Sequence, residues 1–290
     1  MNKKPSCVRS LPTLRAALKD VRDRGQTVGF VPTMGALHEG HLSLVREAQE
    51  RTDFTVVSIF INPTQFAPGE DLDAYPRTED ADIEKLAAIG CDLVYLPGVA
   101  DMYPEGTVTN VRVEGLSDLL DGIYRPHFFY GVSTVVARLF IHVTPDVAVF
   151  GEKDYQQLQI IRRMVRDLAF PIEIVGAPTV RDSDGLAQSS RNQYLDASER
   201  ARANAMSEAI HRAAARLSAG SDTDEAVREA SQTILNAGFE SLDYVRAVDP
   251  LTLDDLPGGP AAPGFEGRVL AAAWMGKTRL IDNTGFTRGA

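Results

Sequence analysis

Two histidines, His38 and His41, stand at i and i+3 with Gly40 between them, closing the run Pro32-Thr33-Met34-Gly35-Ala36-Leu37-His38-Glu39-Gly40-His41. An apolar run precedes this stretch and a helical pattern follows it. Residues at i and i+3 occupy neighbouring positions on one face of a helix, so both imidazoles are expected on one side of its first turn. A helix N-terminus offers N–H groups and a positive dipole end, which suit a phosphate. Gly40 lets a ligand approach the backbone closely. The imidazoles can donate hydrogen bonds to phosphoryl oxygens as charge develops on them. A lone histidine would read as a surface or capping residue; the pair directly after a strand reads as a phosphate site.

Gly151-Glu152-Lys153-Asp154-Tyr155-Gln156-Gln157 sits in the same kind of place, between an apolar run and a helical pattern. Gly151 permits close backbone approach, Lys153 can neutralise phosphate, and Asp154 can take a ribose hydroxyl. Gln157 falls one turn in, on the face of Lys153. In Ile61-Asn62-Pro63-Thr64-Gln65-Phe66, Asn-Pro is an ordinary turn signal. Gln65 there offers both a donor and an acceptor, suited to a hydroxyl and a carboxylate. Gln188-Ser189-Ser190-Arg191-Asn192 puts two hydroxyls beside a guanidinium, an anion clamp. Either of these last two, alone, is a plain turn or polar loop.

The elements that must position these residues alternate through the first half of the chain. Apolar runs at Thr27–Val31 (ended by Pro32), Phe54–Ile61, Leu93–Leu96, Asp146–Phe150 and Ile172–Val175 read as strands, and Thr107–Val113 alternates like an extra one. Helical spacing marks Gly40–Gln49, the segment from Thr78 to a cap at Gly90, Ser133–Val143, and a helix with Leu158, Ile161, Met164 and Leu168 in register. Continuous apolar strands separated by helices imply a parallel sheet covered on both faces, an α/β Rossmann-like domain. Ligands bind such sheets beyond the carboxyl ends of the strands, which selects the turns after Val31, Ile61 and Phe150. The second half differs. Alanine-rich helical stretches cover Ala197–Leu217 and Asp222–Ala237, ended by Gly220 and Gly238. Strand-like segments Leu242–Val248, Arg268–Trp274 and Thr278–Ile281 follow, with the Pro/Gly loop LPGGPAAPGFEG between the first two. The expected domains are 1–176, a parallel-sheet unit, and 177–290, a smaller α+β unit.

The bulk numbers bound the function. The 290 residues are 44% hydrophobic and carry a formal charge of -10. A chain this acidic is a poor general binder of nucleic acid or anionic membrane. A polyanionic ligand would need its cations gathered locally. Cys7 and Cys91 fit no disulfide framework or metal motif. The N-terminal MNKKPSCVRSLPTLRAAL lacks the apolar core of a signal peptide, and no apolar run reaches the ~20 residues of a membrane span. A cytoplasmic enzyme is expected.

The longer strings around these sites resemble the pantoate–β-alanine ligase (pantothenate synthetase) family. They are GFVPTMGALHEGHLSLVREA, SIFINPTQF, EDLDAYPRTEDAD, HFFYGVSTVVARLF, VFGEKDYQQLQIIRRMVRDL and GLAQSSRNQYL, and the likeness runs on to Thr278-Arg279-Leu280-Ile281-Asp282-Asn283. They are more specific than His-x-Gly-His, which many nucleotidyltransferases and class I aminoacyl-tRNA synthetases share. The resemblance implies an ATP- and Mg²⁺-dependent ligase with no prosthetic group, working through pantoyl-adenylate and then β-alanine to give pantothenate, AMP and pyrophosphate. It implies a Rossmann-like N-terminal domain, 1–176, a smaller C-terminal domain, 177–290, closing over the ATP site, and a homodimer formed through the N-terminal domain.

Residue by residue, the resemblance implies an ATP site lined by Met34, Gly35, Ala36, Leu37, His38, Glu39, Gly40 and His41, with His41 matching the family's proton donor. Gly151, Glu152, Lys153 and Asp154 match an ATP-binding turn; Val180, Gln188, Ser189, Ser190 and Arg191 match the remaining ATP contacts. Gln65 matches a contact to pantoate and β-alanine, and Gln157 one to pantoate. Met34, Val135 and Val136 would pack on pantoate's methyls. His38, His41, Lys153 and Arg191 would be the catalytic groups, with no protein metal ligands and Mg²⁺ held through the ATP phosphates. One position departs: the family usually has Met or Leu where this chain has Gln188, so its role would fall to the backbone. The competing reading is another His-x-Gly-His nucleotidyltransferase, one that passes AMP to a small acid or phosphate ester and stops there.

Overall fold

The computed structural model describes residues 4–67, 69–70 and 72–289. The extreme N-terminus (Met1 to Lys3), part of the segment weighed as a signal peptide, and Asp71 of the EDLDAYPRTEDAD string lie outside them. In chain order the elements are β1 (Ser6–Val8), α1 (Leu11–Asp23), β2 (Val28–Thr33), α2 (Glu39–Arg51), β3 (Phe54–Ile59), α3 (Glu79–Ala88), β4 (Leu93–Tyr95), α4 (Val99–Met102), α5 (Asp121–Tyr124), α6 (Phe128–Val143), β5 (Val147–Gly151), α7 (Tyr155–Asp167), β6 (Glu173–Ala177), α8 (Ala197–Ala203), α9 (Ala205–Ser218), α10 (Thr223–Asn236), β7 (Ser241–Val248), β8 (Glu266–Met275) and β9 (Thr278–Thr287). No described helix is long and apolar enough to cross a membrane.

The chain divides into two compact units. The first holds the residues up to Asp118, Arg125–Glu152 and Gln157–Pro178; the second holds Leu119–Tyr124, Lys153–Gln156 and the residues from Thr179 onward.

The first unit is built on a six-stranded parallel sheet in the order β1-β4-β3-β2-β5-β6. Alternate residues of each strand face opposite sides, and both sides are apolar. Val31, Val57, Val94, Val149 and Val175 pack against Leu44, Val45 and Ala48 of α2 and Ile83 and Leu86 of α3. On the opposite face Phe30 meets Phe140 of α6 edge-on, and Phe140 also meets Phe150 and Phe170. This is the doubly covered Rossmann-like sheet that continuous apolar strands imply.

Several boundaries differ from those read in the sequence. β2 runs through Pro32 to Thr33. Its ladder to β5 ends at Phe30, while Pro32 stays in register with Ser58 of β3, so the missing N–H breaks no bond on the β5 side. Residues 107–113 form no strand and are largely exposed; Val111 is tied by its N–H to the Thr134 hydroxyl instead (2.9 Å). Leu168 lies past the end of α7 and is 53% exposed, unlike Leu158, Ile161 and Met164. β1 and α1 are not among the elements read above, although α1 carries a Ser10 cap, a proline in its first turn and Leu14, Leu18 and Val21 on its inner face.

The second unit has a three-stranded antiparallel sheet, β7-β8-β9. The stretch 197–217 splits at Asn204 into α8 and α9. Ala209, Ile210, Ala213 and Leu217 of α9 and Ala226, Ala230 and Ile234 of α10 share a core with Val245, Val269, Ala271 and Leu280 of the sheet. Small alanines let the helices sit close to the strands. β9 is longer than read, because Asp282 and Asn283 stay in the ladder opposite Ala271 and Leu270.

Candidate active site

From β2 the chain steps to β3 and β4 on one side, then returns to β5 and β6 on the other. The strand order therefore reverses between β2 and β5. In open parallel sheets the crevice outside the carboxyl ends at such a reversal is the ligand site. β2 runs there into Met34–His41, and β5 ends at Gly151 with Glu152 following.

The turn after β2 is held in a strained shape. Gly35 (φ +87°) and Ala36 (φ +51°) are both left-handed, a conformation that costs a non-glycine residue about 1–2 kcal/mol. It aims two successive N–H groups at one carboxylate: Ala36 N donates to Asp82 Oδ2 (2.9 Å) and Leu37 N to Oδ1 (2.8 Å). Asp82, on α3, is 0% exposed and also accepts from the Thr78 hydroxyl (3.1 Å). A Cβ on Gly35 would stand 3.0 Å from Ile59 and 3.1 Å from the Asp82 carboxylate, so only glycine fits without displacement. Lys85 Nζ donates to the Leu37 carbonyl (2.6 Å), fixing the other end of the turn.

His38 is the N-cap of α2. Its Nδ1 accepts from Gly40 N (3.2 Å), and Nδ1 of His41 accepts from His38 N (3.4 Å), a reciprocal capping box made of two imidazoles. The rings lie with centroids 4.2 Å apart. A neutral imidazole that accepts at Nδ1 carries its hydrogen on Nε2, so the backbone sets both rings as Nε2 donors. Glu39 pairs with Arg46 on the same helix.

Gln65 ends a 3-10 turn, Pro63–Gln65, just beyond β3. It is 9% exposed. Its Oε1 accepts from Asn62 Nδ2 (3.2 Å) and its Nε2 donates to the Met34 sulfur (3.0 Å), so the turns after β2 and β3 meet through these side chains. Asn62 is itself oriented: Nδ2 donates to the Gly131 carbonyl (3.2 Å), and Oδ1 accepts from the Tyr103 hydroxyl (2.8 Å). Burial pushes the Tyr103 hydroxyl above its ordinary pKa, which keeps it a donor. Helix α6 packs so closely on this turn that a Cβ at Gly131 would stand 2.5 Å from the Thr64 carbonyl. Val135 and Val136 are buried on α6, and Gln157 is half-buried in the first turn of α7.

The remaining candidates belong to the second unit. The Lys153 carbonyl accepts from Asn283 Nδ2 of β9 (2.8 Å), and its Nζ lies 3.7 Å from Asp154. Arg181 and Ala187 form a short antiparallel bridge, in which Gln188 N donates to the Val180 carbonyl (3.0 Å). The Gln188 side chain donates to Asp182 (3.1 Å). Asp182 also receives Arg200, which bonds Asp184 as well and holds that carboxyl below its ordinary pKa. Ser189 Oγ accepts from Arg191 N (3.2 Å), capping the 3-10 turn Ser190–Tyr194. Arg181 grips the buried Asp282 with two bonds, 2.7 and 2.9 Å.

The first unit thus assembles Met34 to His41 with Gln65, and the second assembles Val180 with Gln188 to Arg191. Asp82, Lys85, Asn62 and Tyr103 hold the first of these sets in place and Asn283 holds Lys153; Asn62, Asp82 and Asn283 lie inside the family strings without an assigned role, and Lys85 and Tyr103 lie outside them. Asp82 sits among the acidic residues that open α3, where it reads as a helix-dipole partner. Among the described residues no group of three or more His, Cys, Asp or Glu side chains is placed to hold a metal ion. Cys91 is buried, and burial pushes its thiol up to about 12, far from a nucleophile's range.

A family model for pantoate–β-alanine ligase matches residues 6–285. The chain is 66% identical over 282 residues to the pantothenate synthetase of Hyphomonas neptunium, covering 97% of this chain and 96% of that protein. It is 54% identical over 280 residues to the pantothenate synthetase of Mesorhizobium japonicum, covering 97% of each. Among solved structures, pantothenate synthetase from Thermus thermophilus matches with a TM-score of 0.90 at 46% identity, over 96% of this chain and 98% of that one. Pantoate–β-alanine ligase from Francisella tularensis, solved in complex with β,γ-ATP and β-alanine, matches with a TM-score of 0.80 at 32% identity, over 97% of each chain. The chain belongs to the pantoate–β-alanine ligase family: it is an ATP-dependent ligase that condenses pantoate with β-alanine.

Proposed function

We propose that this ligase works through a pantoyl-adenylate. A pantoate carboxylate oxygen attacks the α-phosphorus of ATP and pyrophosphate leaves; the amine of β-alanine then attacks the acyl carbon and AMP leaves. The observation that carries this reading is the paired capping by His38 and His41 at the β2–β5 reversal, which sets two Nε2 donors at a helix N-terminus. Donors fixed before the reaction cost no reorganisation when charge develops on phosphate. The β,γ-ATP and β-alanine of the Francisella tularensis complex support the same substrates here.

In this reading ATP is bound by Met34 to His41, Gly151 to Asp154, Val180 and Gln188 to Arg191. His38, His41, Lys153 and Arg191 stabilise the charge on the phosphates, with His41 supplying a proton. Gln65 and Gln157 hold the substrates' polar groups, while Met34, Val135 and Val136 meet pantoate's methyls. Residues 1–176 act as the pantoate- and nucleotide-binding domain and 177–290 as a smaller domain completing the ATP contacts. Mg²⁺ would come with ATP and not through protein ligands, and would offset phosphate charge. A homodimer is part of the same reading and follows from the family resemblance. Two free cysteines and the lack of a membrane-length helix among the described residues fit a cytoplasmic setting.

Incubation with ATP, Mg²⁺, pantoate and β-alanine is expected to yield pantothenate, AMP and pyrophosphate in equal amounts. Exchange of labelled pyrophosphate into ATP is expected with pantoate alone. Release of ADP and phosphate, or exchange that ignores pantoate, would refute the adenylate route.

A further inference from the structure

We propose that Asn283 is a positioning residue for the reaction, acting through Lys153. This rests on the reading of Lys153 as a catalytic cation. Lys153 lies in a short 3-10 turn between β5 and α7, and the grip on its backbone comes from β9, far away in sequence. Asn283 Nδ2 donates to the Lys153 carbonyl at 2.8 Å. The amide is 3% exposed, so water does not readily replace the bond.

The orientation of that amide is specified. Its Oδ1 accepts from Arg268 Nε (2.6 Å), which leaves Nδ2 facing the lysine carbonyl. Arg268 is fixed in turn by stacking 3.7 Å over the ring of Tyr155, whose hydroxyl donates to the Pro250 carbonyl (3.0 Å). Asn283 N donates to Asp282 Oδ1 (2.7 Å), the carboxylate held by Arg181. Arg181 follows Val180, a proposed ATP contact. One buried network in β9 thus braces two proposed nucleotide segments, the Lys153 turn and the Val180 bridge. The lock fixes the backbone from which the Lys153 side chain springs, and a cation that must sit within a few tenths of an ångström of a phosphate depends on that backbone.

The test is a double-mutant cycle on pantoate-dependent pyrophosphate exchange, read with KM for each substrate. Lys153→Ala alone tests the underlying reading: a wild-type rate would dismiss Lys153 itself. Asn283→Ala is expected to lower kcat at least tenfold, with KM for pantoate within twofold of wild type. In the Lys153→Ala background the same substitution is expected to cost less than twofold. An equal loss in both backgrounds, or no loss in the wild-type background, would overturn the proposal. If Asn283→Ala does not fold, Arg268→Met carries the cycle: it removes the lock on the amide and leaves Asn283 in place. It is expected to show the same non-additivity with Lys153→Ala, and additive losses would overturn the proposal equally.

Discussion

The carboxylate of Asp82 accepts the backbone N–H of Ala36 at 2.9 Å, across the gap between α3 and the turn after β2. Ala36 is left-handed there, and the adjacent N–H of Leu37 uses the second carboxylate oxygen. The His-x-Gly-His turn is therefore held from below by a side chain that need not touch substrate. Asp82→Asn keeps the shape but turns one acceptor into a donor, opposing an N–H with an N–H. A buried donor left unsatisfied costs about 1–3 kcal/mol. Denaturant unfolding is expected to show a loss of that size, with kcat falling about tenfold or more as the imidazoles lose their frame. Unchanged stability and turnover would separate Asp82 from the site.

His41→Ala removes an imidazole that also accepts the His38 N–H. Lys153→Ala removes a side chain whose backbone stays anchored through Asn283. Each is expected to lower turnover by about two orders of magnitude or more, since a preorganised donor to developing charge contributes about 3–4 kcal/mol. Circular dichroism should remain that of the wild type. A rate within a few-fold of wild type for either variant would exclude that residue from the mechanism.

Gln188 is the position at which the resemblance leads one to expect Met or Leu. Its backbone N–H pairs with Val180 and its side chain with Asp182, so a nucleotide contact at this position would come from the bridge rather than the amide. Gln188→Met removes the Asp182 bond and keeps the bridge. With the bridge intact, KM for ATP is expected to move by less than about threefold, under about 0.7 kcal/mol of binding free energy. A tenfold rise would assign the side chain a direct role.

The pH dependence of stability has a definite sign at Cys91. Burial raises its thiol from 9.0 to about 12, so the folded protein keeps a proton that the unfolded chain loses. That contribution is whole below about pH 9 and is lost as pH rises toward 12, at about 1.4 kcal/mol per unit. Cys91→Ala is expected to flatten the fall in unfolding free energy between pH 9 and 11 by about that slope. Identical slopes in the two proteins would contradict the burial argument. Iodoacetamide at neutral pH should label the exposed Cys7 and spare Cys91.

The parallel sheet was readable from the sequence because it rests on local pattern, and the ligase family because its long strings are distinctive. Val31, Val57, Val94 and Val149 lie in continuous apolar runs, and His38 and His41 sit where a strand gives way to a helix. What pattern cannot convey is pairing across the chain. Residues 107–113 alternate like a strand, yet among the described residues no strand of the sheet pairs with them. Asp82 looks like one of several acids opening α3 until its two oxygens are seen to meet Ala36 and Leu37. Asn283 closes a recognisable string, but its bond to Lys153 spans 130 positions, and no spacing rule reaches that far. Pro32 stops a strand by propensity; it is tolerated because the β5 ladder has already ended at Phe30.

Isotope tracing through a single turnover bears most directly on the adenylate. With pantoate carrying ¹⁸O in its carboxylate, and ATP, Mg²⁺ and β-alanine present, one ¹⁸O is predicted in the phosphate of the AMP and the other in the amide of pantothenate. Label absent from AMP, with ¹⁸O instead in pyrophosphate or inorganic phosphate, would contradict attack at the α-phosphorus and with it the role assigned to the His38–His41 turn.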